Sequence, residues 1–160
     1  MIQTLQLLAL TTQQAVALLY IFYCLKKYGI TESISATYYL LDEDKKPLFT
    51  LFTWGISFPL IVFALEPLEI YLLVAALMIA YVGAFAKYKE EITDVVHVVC
   101  ATGGVIFSMV HLLTKGLWVP VVVFVVIGLL FQFLSKNKTY WHEILAIEIV
   151  NLTLIFTIYV

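Results

Sequence analysis

Residues 117–134 read LWVPVVVFVVIGLLFQFL, a run with Val, Ile, Leu and Phe on every side and one strongly polar residue, Gln132, near its end. An unbroken apolar stretch of about 20 residues matches the roughly 30 Å hydrocarbon core of a bilayer as an α-helix. A membrane β-strand would instead alternate apolar and polar positions over about ten residues. Similar stretches fill the rest of the chain. Of its 160 residues 63% are hydrophobic and 12% charged, with a mean hydropathy of +1.02, too little polar surface for a soluble domain of this size. The sequence therefore predicts an integral membrane protein, an all-α polytopic helical bundle forming one transmembrane domain over residues 1–160. Six spans are expected, at about 5–25, 48–65, 68–86, 95–113, 117–134 and 140–159.

The lysines set an orientation. All nine basic residues are Lys: Lys26, Lys27, Lys45 and Lys46 fall between spans one and two, Lys87 and Lys89 between three and four, and Lys136 and Lys138 between five and six. Only Lys115 falls on the other side. Short cytoplasmic loops retain positive charge, so both termini are expected to be extracytoplasmic, in a cell membrane of the bacterial inner-membrane type. A net charge of -2 offers no basic field for nucleic acid. The first span has no basic segment before it and carries Lys26 and Lys27 after it, so it reads as a retained helix and not a signal peptide. Cys24 and Cys100 lie in apolar spans and are expected to be free buried thiols.

Loops of two or three residues, at 66–67 and 114–116, make spans two and three, and four and five, antiparallel neighbours. The segment 26–47 is longer. Its Ser33-Ile34-Ser35-Ala36-Thr37-Tyr38-Tyr39 run and charged turn Asp42-Glu43-Asp44-Lys45-Lys46 read as a cytoplasmic, re-entrant or interfacial loop.

Span five belongs at the periphery, because nothing in it resists lipid. Span six carries His142, Glu143, Glu148 and Asn151, and an ionisable group at mid-bilayer costs about 2.5–3.5 kcal/mol on insertion scales. At 100° per residue, His142 and Glu148–Asn151 face opposite ways, so span six needs protein on two sides and is expected in the middle. Gln13 and Gln14, halfway through span one, are the expected partners for Glu148 or Asn151.

Topology places distant residues at one depth. Ser33 and Ser35 follow the cytoplasmic end of span one, Asp94 and His97 open span four, and His142 and Glu143 open span six. Asp94 and His97 share a helix face, with Glu90 and Glu91 one turn earlier. His111 stands about 21 Å further along span four and is expected at the outer face. The metal reading of the inner cluster takes His97, His142 and Asp94 as zinc ligands, with Ser33, Ser35, Asp94 and Glu143 as catalytic groups. Zinc accepts imidazole and carboxylate ligands and lowers the pKa of bound water. The alternative has Asp94 capping span four, the histidines hydrogen-bonded to backbone or headgroups, and Glu143 solvated.

A Ser near the end of an early helix, an Asp-His pair on a middle helix (Asp94, His97) and Trp141-His142 opening the last helix resemble the CREST superfamily of membrane hydrolases, which includes alkaline ceramidases and adiponectin-type receptors. That resemblance implies a zinc-dependent lipid amidase or esterase. The chain departs from the pattern in two places: Ala146 stands where a second histidine of H-x-x-x-H would be, and six spans are one short of seven. The S-I-S-A-T-Y-Y segment is similar to one in small six-span proteins of the DRAM and FGF-receptor-activating-protein kind, which implies the six-span topology.

Gly103 and Gly104 read as a close helix contact, Pro59 and Pro120 as kinks, and Trp54, Trp118 and Trp141 as interfacial anchors. Glu66 and Glu69 read as solvated loop carboxylates. Three functions stay open: a protein binding a ligand, lipid headgroup or partner in a cytoplasm-facing polar pocket; the zinc hydrolase; and an oligomeric channel or proton-coupled carrier using Glu148. Expected partners are membrane lipids, with a homo-oligomer in the transport case.

Overall fold

The computed structural model describes residues 2–65, 67–86 and 91–159. The described residues form six α-helices and no strand: α1 (Ile2–Tyr28), α2 (Pro47–Leu65), α3 (Ile70–Ala84), α4 (Glu91–Thr114), α5 (Trp118–Leu134) and α6 (Lys138–Tyr159). Four helical segments, Gln3–Tyr28, Glu43–Leu65, Asp94–Thr114 and Lys138–Ile158, are long and apolar enough to cross a membrane, which makes this a membrane protein. The helices α3 and α5 are equally apolar but have only 15 and 17 residues. At 1.5 Å per residue they reach about 22 and 26 Å. Glu66, Lys87, Lys89 and Glu90 lie outside the described residues, as does the side chain of Glu91.

Local chemistry explains the helix ends. Helix α1 runs past its expected end at residue 25 because Lys26 and Lys27 favour the negative end of the helix dipole. It stops at Gly29, whose φ of +75° is the left-handed conformation of a helix cap and whose N–H bonds the Leu25 carbonyl at 3.0 Å. Pro47 opens α2, where its missing N–H costs nothing. Helix α3 begins at Ile70, later than residue 68, because the Glu69 N–H bonds Ala64 O at 2.7 Å and holds the Pro67–Leu68 turn outside the helix. Its last bond is Phe85 N–H to Tyr81 O. At the end of α4, Leu117 N–H reaches back to Leu112 O at 2.9 Å around Gly116.

The helices close into a ring. Helix α1 packs on α2 and α6, α3 lies between α2 and α4, and α4 also touches α5 and α6, which pack on each other. Close approach of α2 and α3 requires Gly83, since a methyl there would overlap the Thr53 hydroxyl, while Thr50 Oγ1 donates to Gly83 O at 3.1 Å. Gly103 and Gly104 turn toward Met78 and Ile79 of α3. Helix α5 is peripheral, and Gly128 is its one buried residue. Leu10, Gln13, Ala17, Tyr20 and Cys24 form the buried stripe of α1 at helical spacing. Cys24 and Cys100 are both free thiols.

Part of the segment 26–47 packs against the helices. A 3₁₀ turn, Ser35–Tyr39, is folded into one end of the ring with Ile34, Ser35, Thr37, Tyr38 and Leu41 buried. Tyr20 and Thr37 share a 2.6 Å hydrogen bond, and Tyr20 stacks on Phe52 with centroids 4.3 Å apart. A second 3₁₀ turn, Glu43–Lys45, leads into α2.

Candidate functional site

The loop ahead of the Ser35–Tyr39 turn is shaped by its own short polar residues. Ser33 Oγ accepts Ala36 N–H at 3.0 Å, and Thr37 Oγ1 donates to Ile34 O at 2.6 Å. Ser33 is thereby spent on the turn. The Ile34 N–H is left without a turn partner, and Glu143 from the first turns of α6 supplies one, its Oε2 accepting at 2.5 Å. The Ser35 N–H lies near the same carboxylate. Glu143 is thus the clasp between loop and α6, where the sequence suggested a solvated or catalytic group.

Ser35 turns its hydroxyl the other way, onto α4. Its Oγ lies 2.9 Å from His97 Nε2, and His97 Nδ1 lies 3.2 Å from Phe85 O. A carbonyl only accepts, so Nδ1 carries the proton and Nε2 accepts from the serine. The end of α3 therefore fixes the tautomer of a histidine on α4, which in turn orients a serine on the loop. Ser35 and His97 are both buried.

Below this rim, inside the ring, is a cavity of about 100 Å³. Ser35 and Glu143 line its rim, and Phe52, Ile56, Ile79, Val105 and Ile147 are among its walls. On α2 the lining runs from Phe49 to Leu60, about 16 Å at 1.5 Å per residue. Gln13 lies at its deep end, 1% exposed, with an Oε1 that has no hydrogen-bond partner among the described residues. The arrangement can receive an apolar group while offering hydrogen bonds at the rim.

Glu148 and Asn151 do not join this cavity. They meet α1 along the helix seam, where Gln14 Nε2 donates to Glu148 Oε2 at 2.7 Å and Gln14 Oε1 accepts from Asn151 Nδ2. Asn151 Nδ2 also reaches Leu10 O at 3.4 Å. One glutamine bonds both Glu148 and Asn151. Glu148 Oε1 and Asn151 Oδ1 have no hydrogen-bond partner among the described residues. Helix α6 has protein on both sides, α1 and α5, and it touches α4, so it is a wall of the ring and not its axis.

The expected zinc ligands do not converge. His142 Nδ1 donates to Lys138 O at 2.6 Å, and its ring packs against α5, with Nε2 3.1 Å from where a methyl on Gly128 would sit and its centroid 6.1 Å from Phe131. His97 faces the loop, and Asp94 is exposed. Among the described residues no three His, Cys, Asp or Glu side chains are grouped to hold a metal. Equal depth was readable from the chain; rotation about each helix axis, which turns His142 away, was not.

The Phe85 carbonyl and the Ile34 amide carry no sequence signal, being backbone groups. Glu69, expected to be solvated, pairs with Lys115 and lies near His111 at the opposite end of the bundle. On the loop, Lys45 and Lys27 hold the Asp42 carboxyl below its usual range, through hydrogen bonds of 2.7 and 3.1 Å. Comparison with protein-family models, curated proteins and solved structures yields no match.

Proposed function

We propose that this is a six-span membrane protein of a bacterial inner membrane, with both termini extracytoplasmic, that binds an amphipathic ligand in its cytoplasm-facing pocket. The ligand's polar group meets Ser35, His97 and Glu143, and a short hydrocarbon segment enters the ring. Orientation rests on the lysines: Lys26, Lys27, Lys45, Lys46, Lys136 and Lys138 flank the loop end, and Lys115 stands alone at the other. The shorter α3 and α5 cross by local thinning of the bilayer and by flanking residues. The observation that carries the reading is the cavity itself, apolar in its walls and polar at its rim. Apolar walls with a few polar groups at one end are the lining chemistry of small-molecule sites, and a volume of about 100 Å³ suits a short hydrocarbon segment.

The test is the mass spectrum of lipids that copurify with the detergent-solubilised protein, compared with Ala146→Leu, which fills the cavity from α6. A lipid retained by the natural protein and lost from the variant is the expected result. Equal retention by both overturns the reading.

The Ser35–His97 contact favours a second reading, metal-free acyl transfer, with Ser35 as nucleophile and His97 as the base that takes its proton. A fluorophosphonate probe should then label Ser35, and His97→Gln should suppress the labelling. Absence of label on the natural protein removes this reading. The CREST-like zinc hydrolase lacks a gathered ligand set among the described residues, and a zinc assay of the purified protein tests it directly. Glu148, bonded to Gln14, has a structural employment that needs no transport.

A further inference from the structure

At the end of the bundle opposite the Ser35 rim, the ends of α1, α2, α4 and α6 enclose a second pocket of about 360 Å³. Its volume lies within the roughly 300–1,000 Å³ of small-molecule sites. His111 of α4 lines it, is 2% exposed, and has an Nδ1 with no hydrogen-bond partner among the described residues. Across from it, Glu69 Oε2 lies 3.8 Å from that nitrogen, too far for a hydrogen bond between them. The other carboxylate oxygen, Oε1, is paired with Lys115. The Glu69 side chain is 15% exposed and the Lys115 side chain 44%, so the carboxylate is the inner member of the pair and the ammonium the outer. Phe63, Leu117, Leu154 and Ile158 form an apolar wall.

These groups form an incomplete series of alternating charge. From outside inward it reads Lys115 positive, Glu69 negative, then an imidazole nitrogen and a carboxylate oxygen facing a common gap. With the imidazole proton on Nε2, Nδ1 is an acceptor, and what completes the inner end is a donor that reaches both Nδ1 and Glu69 Oε2 at once. A primary ammonium, with three N–H groups, can place one on each of two acceptors 3.8 Å apart. What completes the outer end is an anion on the free donors of Lys115. We propose that this pocket binds a phosphoethanolamine group, its ammonium between His111 Nδ1 and Glu69 Oε2 and its phosphate on Lys115 Nζ. The apolar wall suits the rest of a phosphatidylethanolamine molecule, and free phosphoethanolamine presents the same chemistry. Choline headgroups are rejected because a quaternary ammonium has no N–H to give, and phosphatidylglycerol because it has no cation. The site is separate from the inner cavity, so its failure leaves the ligand reading of that cavity untouched.

The experiment is native mass spectrometry of the full chain released from mixed micelles containing equal phosphatidylethanolamine, phosphatidylcholine and phosphatidylglycerol. A preference of about tenfold for the ethanolamine lipid is expected, the scale of one charge-assisted hydrogen bond set. Glu69→Gln, which keeps the shape, should reduce it to near parity, and His111→Ala should do the same. Equal retention of the three lipids by the natural protein, or an unchanged preference in Glu69→Gln, overturns the proposal. Lys115→Ala, at an exposed position, should lower retention of the ethanolamine lipid; unchanged retention overturns the phosphate assignment even if the His111 variant does not fold. Displacement of the lipid by added phosphoethanolamine supports the soluble ester as the ligand, and its failure to displace supports the lipid.

Discussion

Glu143→Ala should cost more stability than any other single truncation at the rim. In the folded chain the Glu143 carboxylate accepts Ile34 N–H at 2.5 Å and faces Ser35 N–H, while the intervening turn uses other donors. Removing the carboxylate leaves the Ile34 N–H with no acceptor and takes the nearby negative charge from the Ser35 N–H, and each such loss costs about 1–3 kcal/mol. Partial relaxation of the turn reduces the sum to about 2–5 kcal/mol. For a chain of this length 1 kcal/mol moves the melting temperature by about 2–4 °C, so the expected fall is about 4–20 °C. Glu143→Gln keeps one acceptor oxygen in place and should lose less than half as much. The assay is apparent Tm in one detergent, followed by the fraction of monodisperse protein after heating, with hydrogen exchange at residues 33–37 as the local readout. A shift under 2 °C for Glu143→Ala, or exchange at Ile34 and Ser35 that stays as slow as in the natural chain, would refute the clasp.

The seam of α1 and α6 should behave as a unit: Gln14→Leu and Asn151→Leu are each expected to destabilise by about 1–2 kcal/mol, and the double variant by clearly less than the sum, read from a double-mutant cycle in detergent. Gly83→Ala should cost about 1–3 kcal/mol through overlap with Thr53, and Thr53→Ala added to it should restore part of the loss; a neutral Gly83→Ala would remove the tight α2–α3 contact. The Asp42 carboxyl is held below its usual range, so its pairs with Lys45 and Lys27 contribute fully above about pH 4 and are lost as the pH falls through the lowered value. Amide exchange at residues 42–46 should accelerate on acidification below that pH, and Asp42→Asn should show the fast exchange at neutral pH.

The class of protein was legible because lipid imposes it on composition: a helix facing hydrocarbon must be apolar along its whole length, as residues 117–134 are. Six helices were legible for the same reason, with boundaries off by a few residues where backbone bonds such as Glu69 N–H to Ala64 O set the end. The cost of polar groups in a span marked Glu148 and Asn151 as needing partners, and depth pointed to the Gln13–Gln14 pair.

Rotation was beyond the sequence. Adjacent glutamines point 100° apart, and only packing sends Gln14 to the α6 seam and Gln13 to the cavity. His142 and His97 share a depth, yet one packs on α5 and the other on the Ser35 turn. Contacts such as His97 to the Phe85 carbonyl, Glu143 to the Ile34 amide and Glu69 to Lys115 join segments up to 109 residues apart. Hydrophobicity fixes which segments enter the membrane, because transfer energy depends on composition alone. Which side chains meet depends on how the helices turn about their axes as they close the ring, and that is decided by packing among all of them at once.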